Sequence, residues 1–267
     1  MLPSIEALTR IVREAAREEL LGRFSGVQRE TKADGSLVTA ADLAMQRRMR
    51  EALAQRWSEI KFLGEEMSTQ EHAVLLNEAA QHDLWCLDPL DGTTNFAAGV
   101  PYFAVSLALL REGKSEIGLV YDPVRDECFS ARRGAGAQLN GRPLGARMPS
   151  ASTLAHAVAG IDFKRLPGPL AARLAAEPPY ASQRNFGASS LDWCWLADRR
   201  FHIYLHGGQR LWDYAAGSLI LTEAGGDSVT LRGEPVFTLD VGPRSVIAAH
   251  DATLLDEWSR WIAKHMR

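Results

Sequence analysis

The stretch of sequence that decides the fold is residues 85–96, Trp-Cys-Leu-Asp-Pro-Leu-Asp-Gly-Thr-Thr-Asn-Phe, where an apolar run leads into two carboxylates. The aromatic and aliphatic residues 84–87 predict a short buried strand. Because Pro89 cannot donate a backbone hydrogen bond, we expect strand pairing to stop there. The sequence therefore predicts that Asp88 and Asp91 lie at a strand end.

The residues after the second carboxylate predict a helix whose N-terminus points back at the aspartates. Gly92 permits a tight turn, and the Thr-Thr-Asn at 93–95 has side chains that cap helices. The free N–H groups of such a helix attract an anion, which two aspartates alone would repel. Oxygen-ligated Mg²⁺ between them resolves this conflict, so the stretch predicts Mg²⁺ on Asp88 and Asp91, bridged by a phosphate to the helix.

Two other interpretations compete with a metal site. Asp, Pro and Gly are ordinary turn residues, so the stretch could be a turn whose aspartates cap the backbone. The Asp-x-Asp-Gly-Thr signature of the haloacid-dehalogenase-type phosphatases is also similar, but here an extra residue separates the carboxylates. We therefore expect the side chains of Asp88 and Asp91 to leave the strand in different directions, which does not reproduce a nucleophile and its acid.

Composition excludes several classes of function. The chain has 267 residues, of which 46% are hydrophobic and 24% charged, as in an ordinary globular protein. A formal net charge of −3 gives no sign of a nucleic-acid partner, and no apolar stretch is long enough to cross a membrane. The N-terminus lacks a signal-peptide core, so the cytoplasm is expected. The cysteines at 86, 128 and 194 are too scattered for a disulfide framework and are expected in the core.

The order of predicted elements indicates two halves. Helices are expected at 4–24, 39–57 and 69–80, a strand at 60–63, and a hairpin with a meander at 102–139, which together predict an antiparallel sheet. From residue 157 strands and helices alternate, which predicts an α/β second half. These strands are expected at 157–161, 180–184, 201–205 and 245–249, and the helices at 170–176, 189–197, 214–224 and 252–265. A boundary near 148–152 gives an N-terminal α+β half, 1–148, and a C-terminal α/β half, 149–267.

Residues 88–96 resemble the signature of the inositol monophosphatase family, the lithium-sensitive, Mg²⁺-dependent phosphatases. A second family signature is similar to Trp212-Asp213-Tyr-Ala-Ala-Gly and to the Thr-Glu-Ala-Gly-Gly at 222–226. Two more segments, 32–42 and 62–66, match in the right order, so the resemblance spans nearly the whole chain. It implies a layered αβαβα sandwich of the sugar-phosphatase type.

The resemblance also implies a role for each matching residue. The metal ligands, for two or three Mg²⁺ ions, would be Glu65, Asp88, the Leu90 carbonyl, Asp91 and Asp213. The catalytic residues would be Glu65 with Asp42 and Thr93, the last two holding the attacking water. Substrate contacts would come from Asp91, Gly92, Thr93, Gly187, Ser189, His206 and Asp213. Glu66 would be a weaker ligand, and Lys32 matches a loop lysine of the family.

From the residues alone, each of these acids has a purely structural alternative. Asp42 could be a first-turn acid that favours the helix dipole, and Asp213 could be a simple N-cap. Glu65 and Glu66 could merely begin the following helix. Lys32 could be a solvated loop residue.

The sequence departs from the animal inositol phosphatases at His206. There the family has a glutamate that contacts inositol hydroxyls, and an imidazole cannot replace that pair of acceptors. We therefore expect poor recognition of myo-inositol, with His206 reading another alcohol. The alternative is a loop histidine without a ligand, in which case Ser189 is the next candidate for substrate recognition.

The function predicted by the resemblance is a phosphomonoesterase that hydrolyses a small polyol or sugar phosphate with metal-activated water. Other esters remain open: fructose 1,6-bisphosphate, histidinol phosphate or 3′-phosphoadenosine nucleotides. The alternative to an enzyme is a regulatory binding partner in ribosomal-RNA transcription, because one bacterial relative has that role. The expected partner is a small phosphate ester, and the expected assembly is a homodimer.

Overall fold

The computed structural model describes residues 2–24, 29–31, 37–79, 81–144 and 153–266. The predicted half boundary and Lys32 lie outside these residues. In this part of the chain there are eight α-helices. They are α1 (Ile5–Ala16), α2 (Ala40–Ala54), α3 (Thr69–Glu78), α4 (Thr93–Ala98), α5 (Gly168–Ala176), α6 (Ser189–Ala197), α7 (Leu211–Glu223) and α8 (Ala252–His265). A π-helix, Arg17–Leu21, continues α1, and a 3₁₀ turn covers Leu154–His156.

The same residues form fourteen strands in three sheets. The strands of the first half are β1 (Arg29–Thr31), β2 (Leu37–Thr39), β3 (Lys61–Gly64), β4 (Leu84–Asp91), β5 (Ala104–Arg111), β6 (Lys114–Asp122), β7 (Glu127–Arg132), β8 (Ala137–Leu139) and β9 (Arg142–Pro143). Those of the second half are β10 (Val158–Asp162), β11 (Ser182–Arg184), β12 (Ile203–Gln209), β13 (Asp227–Val229) and β14 (Arg244–Ala249).

The large sheet has the order β3-β4-β5-β6-β7-β8-β9 and is antiparallel except for the parallel pair β3 and β4. The smaller sheet has the order β11-β10-β12-β14-β13. In it β10 is parallel to both β11 and β12, whereas β14 is antiparallel to its neighbours. The predicted antiparallel first sheet is confirmed. The second half is a mixed sheet because β14 runs antiparallel to β12 and β13, and the sequence pattern did not predict β13.

The fold is a sandwich of five layers, which confirms the predicted αβαβα class. Helices α1 and α2 cover the outer face of the large sheet, and helices α6 and α7 lie between the two sheets. Helices α5 and α8 cover the outer face of the small sheet. No described helix is both long and apolar enough to span a bilayer. All three cysteines are buried and free, as expected of core residues.

Strand β5 shows why its sequence is an unbroken apolar run. Val105, Leu107 and Leu109 pack under the outer helices, whereas Ala108 and Leu110 face α6 and α7. Successive side chains of a strand point to opposite faces, and both faces are covered here. A strand of this kind needs apolar residues at every position, and small ones where a helix lies close.

Strand β4 corrects the prediction that pairing stops at Pro89. The strand continues to Asp91, with Asp88 opposite Ser106 and Asp91 opposite Ala104. Three steps along β4 therefore match two steps along β5, which is a β-bulge of one residue. In a regular strand two residues three positions apart face opposite sides, so the bulge is what returns Asp91 to the side of Asp88.

A second bulge occurs in β12 of the other sheet. His206 lies opposite Val246 and Gln209 opposite Arg244, so Gly207 and Gly208 again add one residue. A Cβ atom on Gly207 would come within 2.0 Å of the Arg165 carbonyl oxygen. Glycine is therefore required for the segment after β10 to pack against this strand.

Candidate active site

The space between the two bulges is a cavity of about 660 Å³. One wall carries Glu65, Asp88 and Asp91, with Asp213 contributed by α7. Asp88 and Asp91 were expected to diverge, but both line this cavity, because the bulge in β4 brings them to one side. The structure thus assembles the predicted metal ligands from both halves of the chain. The role of these residues as metal ligands stays a prediction.

Asp91 lies at the contact between β4 and the start of α6. One of its carboxylate oxygens accepts hydrogen bonds from the Ser190 N–H and from the Ser190 hydroxyl, each at 2.6 Å. Asp91 is only 8% exposed, so it is a packed residue and does not stand at an exposed strand end. The N-terminus of α6 favours a negative charge at this position.

Asp88 has weaker local support. Its carboxylate accepts a hydrogen bond from the Leu90 N–H at 3.0 Å, within the bulge. The Leu90 carbonyl, which also lines the cavity, accepts a hydrogen bond from the Thr93 hydroxyl at 3.0 Å. A carbonyl oxygen has two lone pairs, so this bond leaves capacity for a cation.

Asp213 is not the N-cap of its helix, as the structural alternative proposed. Helix α7 begins two residues earlier, at Leu211, and its N-cap is Arg210. Asp213 occupies the third position of the first turn and accepts a hydrogen bond from the Arg210 N–H at 2.8 Å. One carboxylate oxygen thus closes the helix start while the side chain lines the cavity.

The predicted pair of Asp42 and Thr93 is in contact. The Thr93 hydroxyl lies 3.1 Å from Asp42 Oδ1, although 51 residues separate the two. The other oxygen of Asp42 accepts bonds from the Thr39 N–H at 2.8 Å and the Thr39 hydroxyl at 2.5 Å. Asp42 therefore both closes the start of α2 and holds Thr93, so the structural and functional interpretations coexist.

Burial and mutual repulsion dominate the electrostatics of the acidic wall. Burial, with the charges of Glu65, Asp91 and Asp213, raises the pKa of Asp88 well above its ordinary value. Burial, followed by the charges of Asp91 and Glu65, has the same effect on the pKa of Asp213. Burial also raises the pKa of Asp91, but the hydrogen bonds from the start of α6 oppose it. Without a cation, ionising this wall is unfavourable.

These residues fit Mg²⁺ by their chemistry. Within the described ranges no three His, Cys, Asp or Glu side chains converge into a ready cage for a single ion. Mg²⁺ does not need such a cage, because it usually keeps several waters and binds one or two carboxylates together with substrate phosphate. Four carboxylates around one cavity supply oxygen ligands, and the mutual repulsion at Asp88 and Asp213 favours a positive charge between them.

The remaining predicted residues lie on or near the same cavity. Glu65 lines it, whereas its neighbour Glu66 is fixed by a hydrogen bond from its N–H to Gln46 at 2.9 Å. Gly92 has a φ of +87°, and a Cβ there would lie 3.0 Å from the Ala188 Cβ, so glycine allows the first helix turn to approach α6. Gly187 and Ser189 line the cavity beside it.

His206 lies on the opposite wall, at the bulge in β12. Its Nδ1 accepts a hydrogen bond from the Gly208 N–H at 3.0 Å, which leaves the ring proton on Nε2. Nε2 lies 3.6 Å from a carboxylate oxygen of Asp162, its neighbour across the parallel pair β10 and β12. Burial lowers the pKa of His206 to about 4, so the ring is neutral at pH 7. His206 lines the cavity, and its substrate role stays a prediction.

A model of the inositol monophosphatase family matches residues 3–267. The chain belongs to this family. Inositol monophosphatase 1 of Bos taurus is 30% identical over 255 residues, covering 93% of this chain and 89% of the bovine protein. Nus factor SuhB of Pasteurella multocida is 35% identical over 234 residues, covering 85% and 84%. The structure of the extragenic suppressor protein suhB from Bartonella henselae has a TM-score of 0.83 at 28% identity and covers 97% and 98%.

As a member of the inositol monophosphatase family, the chain is a phosphoric monoester hydrolase. The sequence interpretation missed several residues that surround this site. Ser190 donates hydrogen bonds to Asp91. The segment after β10 brings Asp162, Lys164 and Arg165 to the cavity, and Arg210, the N-cap of α7, also lines it. Asp162 follows a strand predicted at 157–161, and the carboxyl ends of parallel strands are where sites form. That position, and the Gly-Gly pair at 207–208, were signals that could have found this wall.

Proposed function

We propose that this member of the inositol monophosphatase family is a Mg²⁺-dependent phosphomonoesterase that hydrolyses a small polyol or sugar phosphate. The observation that supports the proposal most is the meeting of Asp88, Asp91 and Asp213 on one cavity, next to the hydrogen-bonded pair of Thr93 and Asp42. The first two come from a bulged strand, and the third from a helix of the other half.

The proposed holders of the cation are Glu65, Asp88, Asp91, Asp213 and the Leu90 carbonyl. When bound, Mg²⁺ would lower the pKa of a water and offset the charge of the phosphate. The protein keeps its carboxylates in place through short bonds to backbone N–H groups, so little reorganisation is needed as charge develops.

Thr93 would orient the attacking water. Its hydroxyl has one hydrogen, and both nearby acceptors, Asp42 Oδ1 and the Leu90 carbonyl, direct that hydrogen away from solvent. The hydroxyl lone pairs are then free to accept a hydrogen from water. Asp42 would act as the group that positions Thr93. The N–H groups of Gly92 and Thr93, which begin α4, would bind phosphate oxygens.

Release of inorganic phosphate from a panel of esters, with Mg²⁺ and with EDTA, tests this proposal. We expect turnover that needs Mg²⁺ and that falls in roughly tens of millimolar Li⁺, because Li⁺ would occupy a Mg²⁺ position with half its charge. Turnover that is fully retained in EDTA would contradict the metal assignment. Equal turnover with and without Li⁺ would indicate a different arrangement of ions.

A second candidate function is that of a Nus factor, which the 35% identity to Nus factor SuhB of Pasteurella multocida favours. It does not require the acidic wall, so Asp91→Asn would separate the two roles. Binding of wild-type and variant protein to purified transcription complexes measures it, and equal binding would assign it independently of hydrolysis. The expected homodimer and the cytoplasmic location expected from the N-terminal sequence are also proposals, for which analytical ultracentrifugation and cell fractionation are the tests.

A further inference from the structure

The wall of the cavity opposite the acidic residues is locally basic. The segment after β10 brings Lys164 and Arg165 to it, whereas Arg210 lies beside Asp213 and donates a hydrogen bond from Nη1 to the Val241 carbonyl. Asp162 is the acid beside them, and His206 is neutral there. The whole chain has a formal net charge of −3, so this positive charge is a local feature and not a property of the surface.

The basic segment is fixed in place by the glycine bulge of β12. Arg165 donates a hydrogen bond from Nη1 to the Gly208 carbonyl at 2.6 Å. The Arg165 main chain packs so closely on Gly207 that a Cβ at that position would lie 2.0 Å from its carbonyl oxygen. Arg165 is exposed, but its bond to Gly208 holds one nitrogen of the guanidinium group, and the contact with Gly207 holds its main chain.

The groups on this wall that face a ligand are mainly donors. His206 presents its Nε2 hydrogen, since its other nitrogen already accepts from Gly208. At 3.6 Å the Asp162 carboxylate is too distant to hold that hydrogen in a normal bond. Lys164 is exposed at the cavity, and within the described residues its ammonium group forms no hydrogen bond or ion pair.

We propose, resting on the phosphatase function proposed above, that this wall is a subsite for a second anionic group on the alcohol part of the ester. The group is a carboxylate or a second phosphate. Arg165 would bind it through the nitrogens not used by Gly208, because a planar guanidinium matches both anions. Lys164 adds charge, and His206 donates to a neighbouring hydroxyl of the same ligand.

An ammonium group on the leaving alcohol is the opposite possibility, with Asp162 as its partner. One oxygen of Asp162 already accepts a hydrogen bond from the Lys164 N–H at 2.7 Å. Two cationic side chains follow it within three residues along the chain, and they would repel a second cation. The observations therefore favour the anion.

The test compares esters that share a C6 phosphate and differ in the charge of the alcohol part. Glucose 6-phosphate has a neutral alcohol, 6-phosphogluconate a carboxylate, fructose 1,6-bisphosphate a second phosphate, and glucosamine 6-phosphate an ammonium group. We expect kcat/KM of the full-length protein to be about tenfold higher for at least one anionic ester than for glucose 6-phosphate, because charge-assisted bonds are roughly twice as strong as neutral ones. The two anionic esters distinguish a carboxylate subsite from a phosphate subsite.

Charge-removing variants assign the preference to residues. In Arg165→Gln the ratio of anionic to neutral kcat/KM should fall about tenfold, and in Lys164→Gln about threefold, since both side chains are exposed but only Arg165 is anchored, by its bond to the Gly208 carbonyl. The change should be in KM, because the subsite binds the leaving group without touching the reacting phosphate. Arg56→Gln is the matched control, since Arg56 is exposed just after α2 and does not line the cavity. Lys164→Gln also guards against misfolding of the Arg165 variant.

Calorimetric binding of the same esters, with Ca²⁺ in place of Mg²⁺, separates failure of the subsite from failure of the phosphatase. If no ester of any kind is hydrolysed but anionic esters still bind more tightly and Arg165→Gln removes the difference, the subsite stands and the phosphatase function is wrong. If hydrolysis proceeds and neither Kd nor KM distinguishes anionic from neutral esters, the subsite is wrong. Tighter binding or a higher kcat/KM for glucosamine 6-phosphate would overturn the anion subsite and indicate a subsite for an ammonium group.

Discussion

The cavity has two walls, and each is shaped by one extra residue in a strand. In β4 the bulge at Pro89 and Leu90 returns two carboxylates to one side, and in β12 the bulge at Gly207 and Gly208 seats a basic segment. The acidic wall is held by bonds to backbone N–H groups, whereas the basic wall leaves donors available. This difference supports a catalytic role for the acidic wall and a role in substrate recognition for the basic wall.

The largest expected effect is on the acidic wall. Asp91→Asn should lower kcat by about a thousandfold or more, because a metal ligand is lost and metal charge contributes several kcal/mol to the transition state. The same change should not lower Tm without Mg²⁺, since the pKa of Asp91 is raised by burial and the ionised form therefore destabilises the fold. Malachite-green assays and thermal melts measure both. Near wild-type kcat at saturating Mg²⁺ would remove Asp91 from the site.

The next effect concerns the water-orienting pair. Thr93→Val keeps the shape of the side chain but removes the hydroxyl that bonds to Asp42, so kcat should fall about a hundredfold. Thr93→Ser restores the hydroxyl and should recover most of that loss. Steady-state kinetics on one ester compare the three proteins. Equal rates for the valine and serine variants would show that the hydroxyl has no part in catalysis.

A change on the basic wall should alter choice of ester more than rate. His206→Glu replaces a donor with an acceptor and adds negative charge beside Asp162. We expect the ratio of kcat/KM for myo-inositol 1-phosphate to that for the preferred ester to rise about tenfold, which is the scale of an unsatisfied polar group in a specific pocket. An unchanged ratio would place His206 outside the substrate contacts, with Ser189 as the next residue to vary.

The smallest expected effect is on stability and distinguishes the walls without any substrate. A raised folded-state pKa of an acid means that the folded protein holds its proton more tightly than the unfolded chain does. Stability should therefore fall as pH rises above the ordinary carboxyl pKa of 3.8, through the folded pKa of Asp88. Asp88→Asn should have a higher Tm than wild type at pH 8 in EDTA, and the difference should shrink as the pH falls towards 3.8. Mg²⁺ should narrow that gap, and a gap that is independent of pH would contradict the assignment.

How far the sequence predicts this molecule depends on which interactions are local. The apolar strand at 84–87, the helix start at Thr39 and the helix Ser189–Ala197 were predicted closely, because they follow from local sequence patterns. The continuation of β4 past Pro89 was not predicted, because it depends on pairing with Ala104 of β5, across the intervening α4. Resemblance identified the acidic wall, since its residues lie within family signatures.

The basic wall was missed for the same physical reason. In the sequence, Lys164 and Arg165 resemble ordinary surface residues. Their place at the cavity depends on the pairing of β12 with β10 and on the close packing of the Arg165 main chain against Gly207. The role of Ser190 likewise depends on its hydrogen bond to Asp91, which is 99 residues away in the sequence. Side chains whose role depends on a distant backbone give little signal in a single sequence.

The seating of α7 on the large sheet has a wider consequence. The hydroxyls of Ser106 and Ser115 donate to the carbonyls of Trp212 and Ala215, and Gly118 lets the helix backbone approach Ala216. These buried contacts fix α7, which carries Asp213, to the large sheet, whose strand β4 carries Asp88. Substitutions elsewhere in the chain should therefore have little effect on the distance between Asp88 and Asp213. In the described part of the chain, the segment after β10 forms no hydrogen bond to the large sheet. If this segment binds the alcohol part of the ester as proposed, exchange of a few residues at 162–165 would change the substrate and leave the hydrolytic residues in place.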